Sequence, residues 1–321
     1  MSENRVLSVT DLKKHFFTQQ GVVKAIDGIN FSVSAGETLG LVGESGSGKS
    51  TVAYTLVGMY KPTEGKCIYR DQDIGIESRY RSKELKRDIQ IVFQDPGTSL
   101  NPRRTVRQIL ELPIKIHGTY KDSRKRLEKV KELLSLVHLP EDYLHKYPKM
   151  IGGGEKQMIS IARALATDPS LVLLDEPTSA LDVSTQAKII KMLIKFQKEF
   201  RLTYLFITHD LSLMSYVATR VAIMYLGKIC EIAPKDKFFR DQLHPYTKML
   251  LSAIPVISEE EEELKPKKIQ SRGEIPSAID IPKGCGFYSR CFKRMDICSQ
   301  EDPEMVEIRD GHSVRCHLYS Q

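Results

Sequence analysis

Apolar and polar positions alternate from about residue 5 to residue 42. The stretch "VKAIDGINFSVS" is typical, and the run closes on "ETLGLVG". A period of two is that of a half-buried strand, so this region is predicted as β structure with Gly28 and Gly36 as turn marks. "STVAYTLVGMY" then takes helical spacing, and from about Gln94 to Leu165 the pattern is helical and charged, as in "SRKRLEKVKELLSLV". "PSLVLLDEP" holds a short, wholly apolar run, as a strand buried on both faces requires, and "LTYLFITHD" is a second such candidate. Strands alternating with helices predict an α/β fold with helices on both faces of a sheet.

Past Pro255 the periodicity stops. "SEEEEELKPKKIQSRGEIPS" is charged and carries prolines, which predicts a solvated linker over 255–283. A compact tail over 284–321 follows, and no internal repeat is present. The 321 residues are 41% hydrophobic and 28% charged, enough for one large core and a small further unit. No apolar run approaches the roughly 18 residues of a membrane span. The opening "MSENRVLSVTDLKKH" lacks a signal-peptide stretch, which predicts a cytosolic chain. The net charge of +7 is spread along the chain without an aromatic-interleaved basic block, so nucleic acid is not expected as a partner. Of six cysteines, Cys67 and Cys230 are scattered and read as buried or neutral thiols, while Cys285, Cys291, Cys298 and Cys316 crowd the tail. In a reducing compartment such a quartet reads as a metal site before it reads as disulfides. A small tail with few apolar residues would need such a staple.

"LGLVGESGSGKST" fits the phosphate-loop pattern between an apolar strand and a helix. Gly43, Glu44, Ser45, Gly46, Ser47, Gly48, Lys49, Ser50 and Thr51 make up the stretch. Its glycines let backbone N–H groups turn toward phosphate oxygens, and the helix N-terminus adds its positive dipole end. Lys49 would reach the β and γ phosphates and the Ser50 hydroxyl would ligate Mg²⁺. In "LVLLDEP", Asp175 ends a buried strand and is suited to Mg²⁺, while Glu176 is placed to take a proton from an attacking water.

A second glycine run, "KYPKMIGGGEKQMISIARAL", precedes a helical pattern. Together these features resemble the nucleotide-binding subunits of ABC transporters: a phosphate loop, a Gln after a strand (Gln94 in "IVFQD"), a signature near "LSGGQ", the "DE" pair, a "SALD" loop with Asp182, and a His after a strand (His209 in "ITHD"). All six have counterparts here in that order, over residues 5 to 255. The resemblance implies a P-loop NTPase (RecA-like) core, an antiparallel β part near the N-terminus, and a helical subdomain at about 95–165, all within an ATPase domain of 1–254. It also implies that two subunits pair head to tail, so that the signature of one (here Gly152, Gly153 and Gly154) grips the ATP held by the other. By the same resemblance Gln94 would join Ser50 and Asp175 on Mg²⁺, and Gln94 and His209 would join Glu176 in catalysis. Phe16 would stack on adenine, or else serve as a core aromatic of its strand.

The signature departs from the family. Gly152 stands where Ser is expected, Glu155 where Gln is, and Met158 where Arg is common. A hydroxyl hydrogen bond to phosphate, worth about 1.5–3 kcal/mol, is missing. That implies a heterodimer with one strong and one weakened site. "QDPGTSLNPR", "HPYTKMLLSAIP" and "IPKGCGFYSRC" resemble the ATPase subunits of oligopeptide and dipeptide importers, closer to the F-type than the D-type. This implies two membrane permease subunits, an extracytoplasmic binding protein, and a peripheral place on the cytoplasmic face of the membrane. Related importers carry nickel or oligosaccharides. A soluble ABC ATPase acting on nucleic acid or the ribosome is the competing class, but it usually has two fused ATPase units or a coiled-coil insertion, and neither is present. A metal-sensing protein read through the cysteines is a third class. In the importer family the cysteine quartet resembles a [4Fe–4S] pattern. The spacings C-x₅-C-x₆-C are wide for a zinc ribbon, so Fe–S is the first expectation and Zn²⁺ the second.

Overall fold

A computed structural model describes residues 4–118, 120–253, 269, 273, 276, 278–279 and 281–320. The strands in chain order are β1 (Arg5–Thr18), β2 (Gly21–Ser34), β3 (Thr38–Val42), β4 (Glu64–Tyr69), β5 (Gln72–Asp73), β6 (Ile89–Val92), β7 (Leu171–Asp175), β8 (Thr203–Thr208), β9 (Arg220–Tyr225), β10 (Lys228–Pro234), β11 (Met305–Arg309) and β12 (His312–Arg315). The chain divides into two compact units, residues 1–76 with 208–321, and residues 77–207. Most of the charged stretch expected as a linker, including 254–268, lies outside the described residues.

In the first unit an antiparallel sheet runs β2-β1-β4-β5. Alternation in the sequence produces it, since Leu7, Val9 and Leu12 on β1 and Ile26, Ile29, Phe31 and Val33 on β2 are buried. Gly28 is not the turn its sequence position suggested. The hairpin reverses where Thr18 faces Gly21, and Gly28 lies inside β2 between the pairs Leu12–Ile29 and Lys13–Asp27. Its φ of 81° makes it a bulge residue, opposite a strand whose Asp11 also has positive φ. Gly36, with φ of 73°, does turn the chain between β2 and β3.

The same unit holds a mixed sheet in the order β11-β12-β10-β9-β3. β3 and β9 are parallel. β9 with β10, and β10 with β12, are antiparallel. Thus the C-terminal hairpin adds edge strands to this sheet. Its docking is sealed by a buried carboxylate. Glu231 accepts N–H bonds from Leu243 (2.9 Å) and His244 (2.8 Å) and lies 2.8 Å from His312 Nε2. Burial pushes His244 down to about 4. Its ring therefore stays neutral at neutral pH, and Nδ1 caps the helix Pro245–Ser252 by accepting the Tyr246 N–H at 3.0 Å.

In the second unit β6, β7 and β8 are parallel. Every residue of β7 and β8 is buried, which is why both read as continuous apolar runs. The stretch expected to be helical contains Val106–His117, opened by a Thr105–Gln108 capping box, Ser123–Leu136, capped by Asp122, and Gly153–Leu165.

Candidate functional site

In the first unit the loop after β3 leads into the helix Lys49–Leu56 through Gly48, whose φ of 103° excludes most side chains. A Cβ there would stand 2.0 Å from the Ala25 carbonyl oxygen, and one at Gly43 would stand 2.1 Å from that of Met224. Both glycines are thus demanded by close backbone approach. The Lys49 ammonium is folded into the loop, donating to the carbonyls of Gly43 (2.8 Å) and Glu44 (2.9 Å) and to Ser47 Oγ (3.4 Å). Ser45 and Gly46 are exposed at the loop's crown, and Ser50 and Thr51 open the helix half-buried. A glycine-rich turn that leads into a helix, with a lysine folded into it, suits a polyphosphate. His209 is exposed just past β8. Phe16 is half-buried, edge-on to Tyr60 at 5.3 Å.

In the second unit Asp175 ends β7 with no exposure. Glu176 follows with φ of 45°. Its N–H donates to the Ile207 carbonyl at 2.9 Å, and its Oε2 accepts from Gln94 Nε2 at 3.0 Å. The backbone is thus held in a sparsely populated conformation at the carboxylate expected to act as base. A cleft of about 140 Å³ is lined by Gln94, Pro96, Gly97, Gly153, Glu176 and Ala180. The second glycine run opens the helix Gly153–Leu165, with Gly152 at its N-cap and no side-chain cap. Asp182 caps the helix Val183–Phe200. It accepts from Ser184 Oγ (2.6 Å) and the Thr185 N–H (3.0 Å), and these bonds hold its carboxyl well below the usual range.

The expected metal centre in the tail is overturned. Among the described residues no three or more His, Cys, Asp or Glu side chains form a group able to hold a metal ion. Neither the [4Fe–4S] cluster nor zinc at Cys285, Cys291, Cys298 and Cys316 stands. Spacing counted the thiols but could not show whether their sulfurs converge. Burial favours the neutral thiol, pushing Cys285 up to about 12 and Cys316 up to about 11. The tail is held by other means: the β10–β12 pairing, the buried Val314 and Cys316 packed with Leu243, and the Lys228–Asp302 ion pair at 2.7 Å. Burial likewise pushes Cys230 far above the usual thiol range, and Cys67 is buried.

Two side chains at the phosphate loop escaped the sequence reading. The Tyr246 hydroxyl accepts the Glu44 N–H at 3.1 Å, and Arg290 grips the Glu44 carboxylate. "HPY" was visible as a motif, but nothing local to Arg290 signals its partner 246 positions away.

The profile of the family described as ABC transporter matches residues 26–179, and that described as oligopeptide/dipeptide transporter, C-terminal region, matches residues 230–298. The chain is 46% identical to the oligopeptide transport ATP-binding protein AppF of Bacillus subtilis (strain 168), over 99% of each chain. The chain belongs to the oligopeptide-type ATP-binding proteins of ABC transporters. It is 41% identical to OppF of the same organism, over 97% of this chain and 96% of that one. The dimeric ATP-binding cassette MJ0796, in a post-hydrolysis state bound to ADP and Pi, is 29% identical with a TM-score of 0.64, covering 71% of this chain and 98% of that one. This ABC subunit is therefore an ATP hydrolase coupled to transport. No helix among its described residues is long and apolar enough to cross a membrane.

Proposed function

We propose that this ABC subunit powers the uptake of di- and oligopeptides. It would work from the cytoplasmic face of the membrane on two permease subunits fed by an extracytoplasmic binding protein. The observation that carries the substrate class is full-length likeness to oligopeptide transport proteins, including the C-terminal region as well as the ATPase. Within this reading residues 1–254 are the ATPase domain with a helical subdomain at about 95–165, 255–283 the linker and 284–321 the C-terminal domain. Residues 43–51 cradle the β and γ phosphates of ATP, with Lys49 as the cation. Ser50, Gln94 and Asp175 would hold Mg²⁺, which would neutralise phosphate charge. Glu176 takes the proton of the attacking water, while Gln94 and His209 orient the reacting groups. Phe16 lies against adenine, and Asp182 borders the nucleotide through its loop.

The test is uptake by cells lacking the chain. Labelled tri- and tetrapeptide uptake should vanish and return with the wild-type chain, while nickel and oligosaccharide uptake should be unchanged. Loss of nickel or oligosaccharide uptake with peptide uptake intact would overturn the peptide assignment.

The second part of the proposal is a heterodimer whose partner holds the ATP that meets Gly152, Gly153 and Gly154. Serine fits at 152. The backbone there is extended (φ −72°), and the three atoms nearest a Cβ all belong to the end of the flexible Glu155 side chain, Oε2 foremost at 2.5 Å. With this chain's own loop disabled by Lys49→Ala, Gly152→Ser should raise hydrolysis at the remaining site by about tenfold, the worth of one hydrogen bond to a charged acceptor at a helix N-terminus. Unchanged phosphate release from a dimer shown to close would remove Gly152 from that site.

A further inference from the structure

Glu44 is an awkward residue for a phosphate loop, since its carboxylate repels the anion that the loop is built to hold. In the structure every polar group of Glu44 is engaged. Its N–H donates to the Tyr246 hydroxyl at 3.1 Å, and its carbonyl accepts from Lys49 Nζ at 2.9 Å. Its carboxylate takes a two-pronged bond from Arg290, Nη1 to Oε2 at 2.6 Å and Nη2 to Oε1 at 2.9 Å. The Arg290 side chain is only 5% exposed, against 26% for Glu44. Its guanidinium lies 5.7 Å from the Tyr225 ring centre and 5.8 Å from that of Phe287. Tyr225, Tyr246 and Phe287 pack on one another with centroids 4.6 to 5.4 Å apart. A planar fork lodged beside two aromatic rings and matched to both carboxylate oxygens is a fixed group rather than a wandering surface ion pair.

We propose that Arg290, from the C-terminal region, is a positioning residue of the nucleotide site: it neutralises Glu44 and pins the first turn of the phosphate loop, so that the loop can accept the triphosphate of ATP. The C-terminal region thereby contributes to nucleotide affinity. This rests on reading residues 43–51 as the phosphate cradle. Without Arg290 the Glu44 charge faces the phosphates uncompensated, and the Lys49 cradle loses the support behind one of its carbonyls. The penalty grows with the charge of the nucleotide. Removing the Glu44 charge as well removes most of the penalty.

The experiment is calorimetric titration of the full-length chain with MgATP and with MgADP. Arg290→Ala should bind MgATP about tenfold more weakly than wild type, with a smaller loss for MgADP. Arg290→Gln, closer in shape, covers the case in which the alanine chain does not fold, and should show the same order of losses. Glu44→Gln combined with either Arg290 change should recover most of the affinity, a rescue that mere loss of packing would not show. Lys49→Ala, run alongside, should lose binding. Wild-type affinity in both Arg290 variants while Lys49→Ala has lost binding, or double variants no better than single ones, overturns the proposal alone. Wild-type binding by Lys49→Ala overturns the cradle reading, and the proposal with it.

Discussion

Glu176→Gln is expected to slow ATP turnover by about 10²- to 10⁴-fold while nucleotide binding persists. The two side chains have the same shape, so the bond now made from Gln94 Nε2 to Glu176 Oε2 at 3.0 Å can be kept by the new amide oxygen. The backbone at 176 is held by its N–H on Ile207, which the substitution does not touch. Only the ability to accept a proton is lost. ATP should therefore accumulate unhydrolysed in a closed dimer. Phosphate release from the assembled transporter and the nucleotide retained after rapid gel filtration report the two halves of this expectation. Turnover at the wild-type rate in the variant's own site would remove Glu176 as the base.

The second large effect is on stability. Glu231→Ala should cost about 3–5 kcal/mol, read as a lower urea midpoint at unchanged slope. Glu231 and His312 have no exposure, and the carboxylate serves the Leu243 and His244 N–H groups together with the His312 ring. Alanine would leave two buried N–H groups without an acceptor and the imidazole without its partner. Because His312 lies on β12, loosening should begin at the C-terminal hairpin, with faster amide exchange in β11 and β12 before the rest. Glu231→Gln keeps an acceptor oxygen and should lose less. An alanine variant within about 1 kcal/mol of wild type would mean that water or a neighbour replaces the carboxylate without penalty.

The turn at 43–51 and the strand end at Asp175 were legible in the chain because each is built from contiguous residues. A phosphate loop is one turn between a strand and a helix. The positive φ of 103° at Gly48 is a local demand for glycine, whereas the close approach of the Met224 carbonyl to Gly43 is one that only the fold creates. The Asp175–Glu176 pair ends a strand whose unbroken hydrophobicity announces burial on both faces. Gly28 shows the limit of such reading. Glycine marks a backbone that needs positive φ, but a hairpin turn and a bulge inside a strand make the same demand, and only the pairing of β1 with β2 tells them apart.

The sequence by itself determined the strand and helix periods, the loop at 43–51 and the order of motifs that mark an ABC ATPase. These depend on neighbours within a few residues, where backbone sterics and period-two or period-3.6 burial act. Tertiary structure alone decided what distant side chains do when brought together. Four cysteines in the tail have the count of a cluster, yet they form no group able to hold a metal, because ligation depends on where sulfurs point and not on spacing. The tail is stapled instead by Glu231, which meets His312 across 81 positions, and by Arg290, which meets Glu44 across 246. A buried charge is tolerated only beside its partner, and a partner that far along the chain leaves no local pattern to read.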